Sequence, residues 1–281
     1  MQSMKNLYPI LVATLLAQAV ARATTLYSLD TTVLDGNTGE NTYYVAQTGS
    51  TASLSLDPTP SLTYTMASTA GSLTYMVGYF NSTTLTNVGD KISFSLSYTA
   101  TSALKASDEA FRVGLYNSGG SYMTSNNTSS GSSATNGYTG YAATFRPSGT
   151  PGTGNTFKER TGTGNNLFTS STYTNLGTDT FAPIGTGAVS MTFSAELTAG
   201  GLLLTTSYGG NVYSFLDTTP STTTFDTFAI YGVDASSSAS LIFSNLTVDS
   251  VPEPGQMALL IIGLGTVTAA ACRRRATIAY R

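Results

Sequence analysis

The clearest structural pattern in the chain covers eight residues, Lys91-Ile92-Ser93-Phe94-Ser95-Leu96-Ser97-Tyr98. Large apolar side chains occupy every second position, and serine separates them. Successive side chains of a β-strand point to opposite faces of a sheet, so this period predicts a strand with one apolar face and one hydroxyl face. The pattern is typical of an antiparallel sheet with one face in a core and the other in water.

The same period recurs through residues 24–250, which we expect to form a single folded domain. Other alternating stretches lie at residues 62–66, 75–79, 111–115, 191–197 and 241–243. Residues 228–233 and 202–204 are more continuously apolar, which favours central strands. No stretch of helical length shows the helical period of about 3.6 residues. Many short strands with Gly, Asn and Asp turns predict an all-β fold, a two-sheet antiparallel β-sandwich of the jelly-roll type.

The composition excludes several classes of protein. The 281 residues include no histidine and one cysteine. Without histidine there is no Ser-His-Asp or Cys-His catalysis and no imidazole metal ligand, and one cysteine makes neither an internal disulfide nor a thiolate zinc site. The sequence pI of about 4.8 excludes a strongly basic nucleic-acid binder. We expect no cofactor and no nucleic-acid partner.

The amino-terminal residues 1–23 are typical of a cleavable secretory signal. Lys5 supplies a positive charge ahead of the apolar residues 7–20. Ala21 and Ala23 are small residues at the spacing that signal peptidase requires. The sequence therefore predicts a signal helix, removal by signal peptidase, and export of the body.

The carboxyl-terminal residues 251–275 carry a second signal in three parts. Pro252-Glu253-Pro254 comes first, and the prolines keep this segment out of helices and strand ladders. Residues 256–272 are uncharged and predict a transmembrane helix. Arg273, Arg274 and Arg275 then act as a stop-transfer cluster, which leaves residues 276–281 as a cytoplasmic tail.

These three parts, in this order, resemble the PEP-CTERM sorting signal of exported bacterial proteins. The resemblance implies that an exosortase, a membrane-embedded transpeptidase, processes the chain at or near Pro252-Glu253-Pro254. It also implies a Gram-negative producer of extracellular polysaccharide. The chain would then cross the inner membrane, remain anchored there for a time through its carboxyl-terminal helix, and reach the cell surface or the medium.

The body carries a looser resemblance, to the concanavalin A-like jelly roll. It rests on residues 111–117 and 140–145, together with residues 225–228 and 243–248 before the sorting signal. The resemblance raises glycoside hydrolysis as a chemistry to test against the residues. It leaves open whether such a body binds sugar or hydrolyses it.

Four tyrosines in or beside the polar loops are candidate sugar contacts: Tyr122, Tyr138, Tyr141 and Tyr173. Sugars are recognised by aromatic faces together with amide and hydroxyl groups. The alternative is that these tyrosines fill the core or its rim, as tyrosines of β-sandwiches commonly do. Residues 149–166 are rich in glycine, but no helix follows them to cradle a phosphate. We expect Lys158-Glu159-Arg160 within them to be a solvated turn or the start of a strand.

Metal and catalytic sites find little support. Asp35 and Asn37 place oxygen atoms at alternating positions, as at the start of a calcium-binding loop. The remaining ligand positions of such a loop are missing, and a turn explains the same residues. Glycoside hydrolysis needs two facing carboxylates. Asp108 and Glu109 are adjacent and would point to opposite faces of a strand, and Glu196 lies on a polar strand face. We name no catalytic residue.

The sequence therefore predicts a non-catalytic exported protein of the cell surface or extracellular matrix, sorted by an exosortase in association with exopolysaccharide. One alternative is a lectin-like carbohydrate-binding module. The other is a carbohydrate hydrolase or lyase whose carboxylates are brought together by distant loops.

Overall fold

The computed structural model describes residues 23–29, 42–45, 52–57, 61–66, 74–126, 133–150, 152–168, 170–177, 180–185, 187–233 and 239–252. Thr24–Ser250 form one compact unit. The other unit is described only at Ala23, Val251 and Pro252. The predicted signal helix, transmembrane helix and tail lie outside the described residues. Within the described ranges no helix is long and apolar enough to cross a membrane.

Strands account for almost all of the regular secondary structure in the described part of the chain. Its strands are β1 Thr24–Ser28, β2 Thr42–Val45, β3 Ser53–Asp57, β4 Ser61–Thr65, β5 Tyr75–Thr84, β6 Lys91–Ala100, β7 Phe111–Asn117, β8 Thr139–Phe145, β9 Phe157–Arg160, β10 Tyr173–Leu176, β11 Ala188–Thr198, β12 Gly201–Tyr208, β13 Asn211–Asp217, β14 Thr224–Gly232 and β15 Ser240–Val251. Short 3-10 helices at Ser133–Thr135 and Ser170–Thr172 interrupt the loops.

The strands form two antiparallel sheets. Sheet A has the order β13-β12-β11-β6-β15-β4-β3, with β1 paired to β15 beside that path. Sheet B has the order β10-β9-β8-β7-β14-β5-β2. The predicted all-β fold of two antiparallel sheets is confirmed.

The alternating stretch at residues 91–98 forms β6, and its four large apolar side chains are buried. β6 pairs with β11 from Thr99 opposite Ala188 to Lys91 opposite Glu196. In this register Phe94 lies opposite Phe193, and both face the space between the sheets. The period of two therefore sets which face of sheet A enters the core.

The main core joins the inner faces of both sheets. Phe94 of sheet A meets Phe228 of sheet B with ring centroids 4.8 Å apart. Phe193 and Phe157 meet in the same way at 6.2 Å. Rings of this size supply most of the apolar area that holds a two-sheet sandwich together.

Sheet B also has a second core, on its outer face. Along β14, Ile230 belongs to the main core, whereas Ala229 and Tyr231 belong to the second cluster. Loop residues such as Met123 and Leu167 cover that cluster. β14 is therefore a central strand buried on both faces, as its continuous apolar run predicts. Residues 202–204 lie in β12, which is also an interior strand because it pairs with both β11 and β13, but its side chains alternate between buried and half-buried.

The first and last strands of the body lie side by side. β1 pairs antiparallel with β15, and Thr24 lies opposite Ser250. The hydroxyl of Thr25 donates a hydrogen bond of 2.7 Å to the Asp249 carboxylate across the pair. The beginning and the end of the body thus meet at one corner of sheet A.

Candidate functional site

The described residues reach the sorting segment only at its start. β15 ends at Val251, and Pro252 follows it exposed. Ala23, the last residue before β1, is also exposed. Glu253, Pro254, the three arginines, Ala21 and the calcium candidates Asp35 and Asn37 lie outside the described residues. Among the residues that are described, no group of three or more His, Cys, Asp or Glu side chains is arranged to hold a metal ion.

The structure does not bring the four candidate tyrosines together. Tyr138 and Tyr141 are fully buried, and Tyr173 is half-buried. Tyr122 is 44% exposed, so its ring is accessible to a surface ligand. Burial removes Tyr138 and Tyr141 from contact with solvent, and Tyr122 is the most exposed of the four candidates for direct sugar contact.

Tyr122 lies in a groove of about 560 Å³ at the β2 and β5 side of sheet B. The ring of Tyr79 meets that of Tyr122 edge-on with centroids 4.9 Å apart, and the centroid of the Tyr43 ring lies 6.0 Å from that of Tyr79. The remaining lining residues are Leu26, Phe80, Asn81, Ser82 and Met123. A row of tyrosines beside amide and hydroxyl groups forms a mixed apolar and polar surface.

A buried carboxylate anchors the hydroxyl of Tyr122. That hydroxyl donates to Asp226 Oδ2 at 3.3 Å. Asp226 also accepts bonds from the amide and hydroxyl of Ser118, at 2.8 and 2.6 Å, and from the Thr227 hydroxyl at 2.7 Å. Four donors thus satisfy the carboxylate while it holds the loop that carries Tyr122.

A second chain of hydrogen bonds fixes the residues on either side of Tyr122. The Met123 amide donates to the Tyr79 hydroxyl at 2.9 Å, and the Tyr79 and Tyr138 hydroxyls are 3.0 Å apart. Tyr138 in turn donates to the carbonyl of Ser121. Burial raises the pKa of Tyr79 to about 12, so this chain keeps its protons at neutral pH. Tyr138 therefore positions the groove without lining it.

Tyr141 and Tyr173 serve other contacts. The Tyr141 hydroxyl lies 2.8 Å from Asp217 Oδ2 and 3.3 Å from Glu159 Oε1. Burial, together with its bond to Asp217, raises the pKa of Tyr141. The hydroxyl of Tyr173 donates to the Leu167 carbonyl at 2.8 Å and lies 2.7 Å from the Tyr116 hydroxyl. Both tyrosines connect loops to strands inside the fold.

Two alternatives were expected for residues 158–160, a solvated turn and the start of a strand, and the structure shows the strand, because Phe157–Arg160 form β9. Arg160 is fully buried, and its guanidinium donates to the carbonyls of Thr135, Tyr138, Gly164, Asn166 and Leu167. Lys158, also buried, pairs with Glu109. Thr135, Tyr138 and Glu109 lie 22 to 49 residues away from the cation that they bind, so no local pattern predicts these three contacts.

The carboxylates considered for catalysis are mostly paired with cations. Glu109 binds Lys158 and also Arg112, at 3.1 Å. Asp108 lies 3.3 Å from Arg146, and Glu196 lies 3.9 Å from Lys91. Sequence reasoning did not find one pair of carboxylates, Glu159 and Asp217, which meet at the Tyr141 hydroxyl. Neither lines the tyrosine groove.

A family model supplies the decisive observation about the chain end. The model for the PEP-CTERM protein-sorting motif matches residues 250–275. This segment is a PEP-CTERM sorting motif. It indicates an exported protein that is sorted through the membrane to the cell surface, and it implies processing by an exosortase.

The body is similar to solved structures in fold alone. Peanut lectin with a nine-residue peptide shares 8% identity, with a TM-score of 0.44 over 82% of this chain and 98% of that one. Basic winged bean lectin with Tn-antigen shares 8% identity, with a TM-score of 0.43 over 82% of this chain and 98% of that one. An endo-1,3-beta-glucanase from Streptomyces sioyaensis shares 11% identity, with a TM-score of 0.42 over 82% of this chain and 97% of that one. No curated protein sequence matches the chain. At this level of similarity neither binding nor catalysis follows for the PEP-CTERM protein.

Proposed function

We propose that this PEP-CTERM protein is a non-catalytic component of the cell surface or extracellular matrix whose body binds polysaccharide through the Tyr122 groove. The observation that carries the proposal is the exposed Tyr122 ring, held in place by Asp226 beside Tyr79, Asn81 and Ser82. Aromatic rings pack against the apolar faces of sugars, and amide and hydroxyl groups hydrogen-bond their hydroxyls.

The charge of the body favours an uncharged polysaccharide. All 15 acidic residues lie between residues 24 and 254, where only six basic residues occur. A net negative surface repels an acidic polymer, whereas a neutral glucan meets no such barrier. The hydroxyl-rich composition is compatible with the same class of ligand.

A binding assay with Tyr122 variants tests the proposal. The full chain in detergent micelles is passed over immobilised dextran, β-1,3-glucan and alginate. We expect retention on a neutral glucan, and Tyr122→Ala to weaken it at least about tenfold, which is about 1.4 kcal/mol. Tyr138→Phe, which removes a positioning hydroxyl, should weaken it less. Val88→Ala removes an exposed side chain outside the groove and is the control.

Absence of binding to every polymer would refute the sugar-binding function. Retention that is unchanged in Tyr122→Ala would place the binding site elsewhere on the body.

We also propose a specific role for Glu253 in sorting, in a Gram-negative producer in which signal peptidase removes residues 1–23. In a host with an exosortase, Glu253→Ala should leave the full-length protein in the inner membrane, while the wild type appears as a shorter product. Glu196→Ala, which removes another carboxylate, is the matched control and should be processed normally. Equal processing of Glu253→Ala and the wild type would contradict the role of Glu253.

The hydrolase alternative depends on Glu159 and Asp217, two carboxylates that meet at the Tyr141 hydroxyl. Asp217 is buried and bonded to Tyr141, which suits a structural role. We therefore expect no release of reducing sugar from β-1,3-glucan. Turnover that disappears in Glu159→Gln would establish the enzyme instead.

A further inference from the structure

Asn136-Gly137 is the only Asn-Gly pair in the sequence. It lies in the turn between the 3-10 helix Ser133–Thr135 and β8, and both residues are exposed. The backbone amide that follows an asparagine is held close to the side-chain amide carbon of that asparagine, so attack within the chain needs no encounter. Glycine hinders this attack least because it has no Cβ. The pair is therefore a place where the chain can modify itself.

The fold activates the side-chain amide of Asn136. Its carbonyl oxygen, Oδ1, accepts a hydrogen bond of 2.8 Å from the backbone amide of Gly164. Attack on the amide carbon moves negative charge onto this oxygen, and a donor that already points at it stabilises the charge as it develops. The space around Gly137 is open, since a Cβ there would meet nothing within 4 Å. Water and hydroxide consequently reach the reacting groups.

A buried cation binds the residues on both sides of this hydrogen bond. Arg160 Nη2 donates to the carbonyl of Gly164 at 2.9 Å and to the carbonyl of Thr135, the residue before Asn136, at 3.3 Å. Arg160 is fully buried, and no carboxylate of the described ranges forms an ion pair with it. A buried charge without a counter-ion is costly. A carboxylate at position 136 would therefore lower the cost of burying Arg160.

We propose that Asn136 is a self-modification site, at which deamidation converts an asparagine into an acidic residue beside Arg160. The Gly137 amide nitrogen loses its proton to hydroxide and attacks Asn136 Cγ. The bond between Cγ and Nδ2 then breaks, and Nδ2 leaves as ammonia after taking a proton from water. Water opens the resulting succinimide ring at either carbonyl and leaves aspartate or isoaspartate. The net reaction consumes one water and releases one ammonia.

The surroundings favour the acidic product. The new carboxylate accepts the Gly164 hydrogen bond with a negative charge, and a charge-assisted bond is stronger than the neutral bond that it replaces. The same carboxylate supplies negative charge next to the two carbonyls that bind Arg160 Nη2. Asn136 does not line the Tyr122 groove, so the inference is independent of sugar binding.

Peptide mapping tests the reaction. The full chain in detergent micelles is incubated at mildly alkaline pH, either folded or in urea, and tandem mass spectrometry measures the acidic form at each asparagine. Asn211 is the matched control, because it is also exposed but precedes the β-branched Val212. In the folded chain Asn136 should convert at least about tenfold faster than Asn211, which is about 1.4 kcal/mol in activation free energy.

The comparison with urea tests the activation by the fold. Because the Gly164 bond exists only in the folded chain, Asn136 should convert at least as fast there as in urea. Absence of the acidic form at Asn136, conversion no faster than at Asn211, or faster conversion in urea would each overturn the proposal.

A preformed acid tests the pairing with Arg160. Asn136→Asp should raise the urea concentration at the midpoint of unfolding, and high salt should reduce this gain because it screens the charges. Asn211→Asp adds the same charge in β13 of the other sheet and should give no gain. A midpoint that Asn136→Asp leaves unchanged or lowers, or that both variants raise equally, would overturn the role assigned to the new carboxylate.

Discussion

The outer faces of sheet A and sheet B differ in chemistry although the two sheets share one core. On sheet A the outer face is a grid of hydroxyls, in which Ser97 meets Ser190 at 2.8 Å and Thr205 meets Ser214 at 3.0 Å. A shallow groove of about 330 Å³ crosses it. On sheet B the outer face is a second aromatic core beneath loops. Strict alternation leaves a face in water, whereas strands apolar at every position require cover on both sides.

The largest expected effect comes from removing the guanidinium of Arg160, which binds the loops over the outer face of sheet B. Arg160→Met leaves five carbonyls without their guanidinium donor, four of them in buried hydrogen bonds, and we expect a loss of about 3–5 kcal/mol in the free energy of unfolding. Urea unfolding measures it. Arg146→Met, at a more exposed arginine, should cost no more than about 1 kcal/mol. Similar losses in both variants would show that the buried guanidinium does not hold the loops.

Alkaline pH should lower the stability of the tyrosine-rich outer face of sheet B. Burial raises the pKa of Tyr79 and of Tyr173 to about 12, above the usual value of about 10. The folded state holds these protons more tightly, so their stabilisation is complete below about pH 10 and is lost as pH rises toward 12. Each tyrosine contributes a slope of roughly 1.4 kcal/mol per pH unit in that window.

The Tyr173→Phe variant isolates one share of this slope. Urea unfolding at pH 9, 10 and 11 (about one unit either side of the usual tyrosine pKa) should show a shallower fall in stability for the variant than for the wild type. Identical slopes would mean that Tyr173 ionises as freely in the folded body as in the unfolded chain.

Close packing at Gly140, within sheet B, predicts a third effect on stability. Gly140 in β8 has φ of 146°, and a Cβ there would meet the Leu115 carbonyl and lie 2.7 Å from Tyr116 Cα. We expect Gly140→Ala to lower the free energy of unfolding by about 2 kcal/mol. Gly187→Ala beside β11 meets nothing within 4 Å and should change it by less than about 0.5 kcal/mol. A thermal melt of each variant distinguishes these outcomes.

The smallest predicted difference compares two tyrosines of the shared core. Tyr141→Phe removes bonds to Asp217 and Glu159 and should cost about 1–2 kcal/mol. The Tyr98 hydroxyl is buried without a partner among the described atoms, so Tyr98→Phe should be neutral or slightly stabilising. Equal destabilisation in chemical unfolding would show that the Tyr98 hydroxyl has a bond of its own.

Sequence periodicity predicted sheet A better than it predicted the site. β6 shows why: whether Phe94 faces inward is decided by its immediate neighbours. The same rule applied to β8 groups Tyr141 with Ala143 and Phe145, a core pattern that argues against a sugar contact there. Position beside a polar loop suggested Tyr141 as a ligand contact, and the local period was the better guide.

The tyrosine groove had no local signal. Tyr43, Tyr79 and Tyr122 come from β2, β5 and the loop after β7, and they meet only because sheet B places β14 and β5 between β7 and β2. Arg160 likewise binds carbonyls from two loops. Contacts of this kind depend on strand order, which alternation alone does not encode.

The pairing of Thr24 with Ser250 has a consequence for how the mature body is held. Under the proposed processing, the newly formed amino and carboxyl ends are neighbours at a single corner. A reporter fused ahead of Thr24 would therefore begin beside Ser250, the last residue of the compact unit.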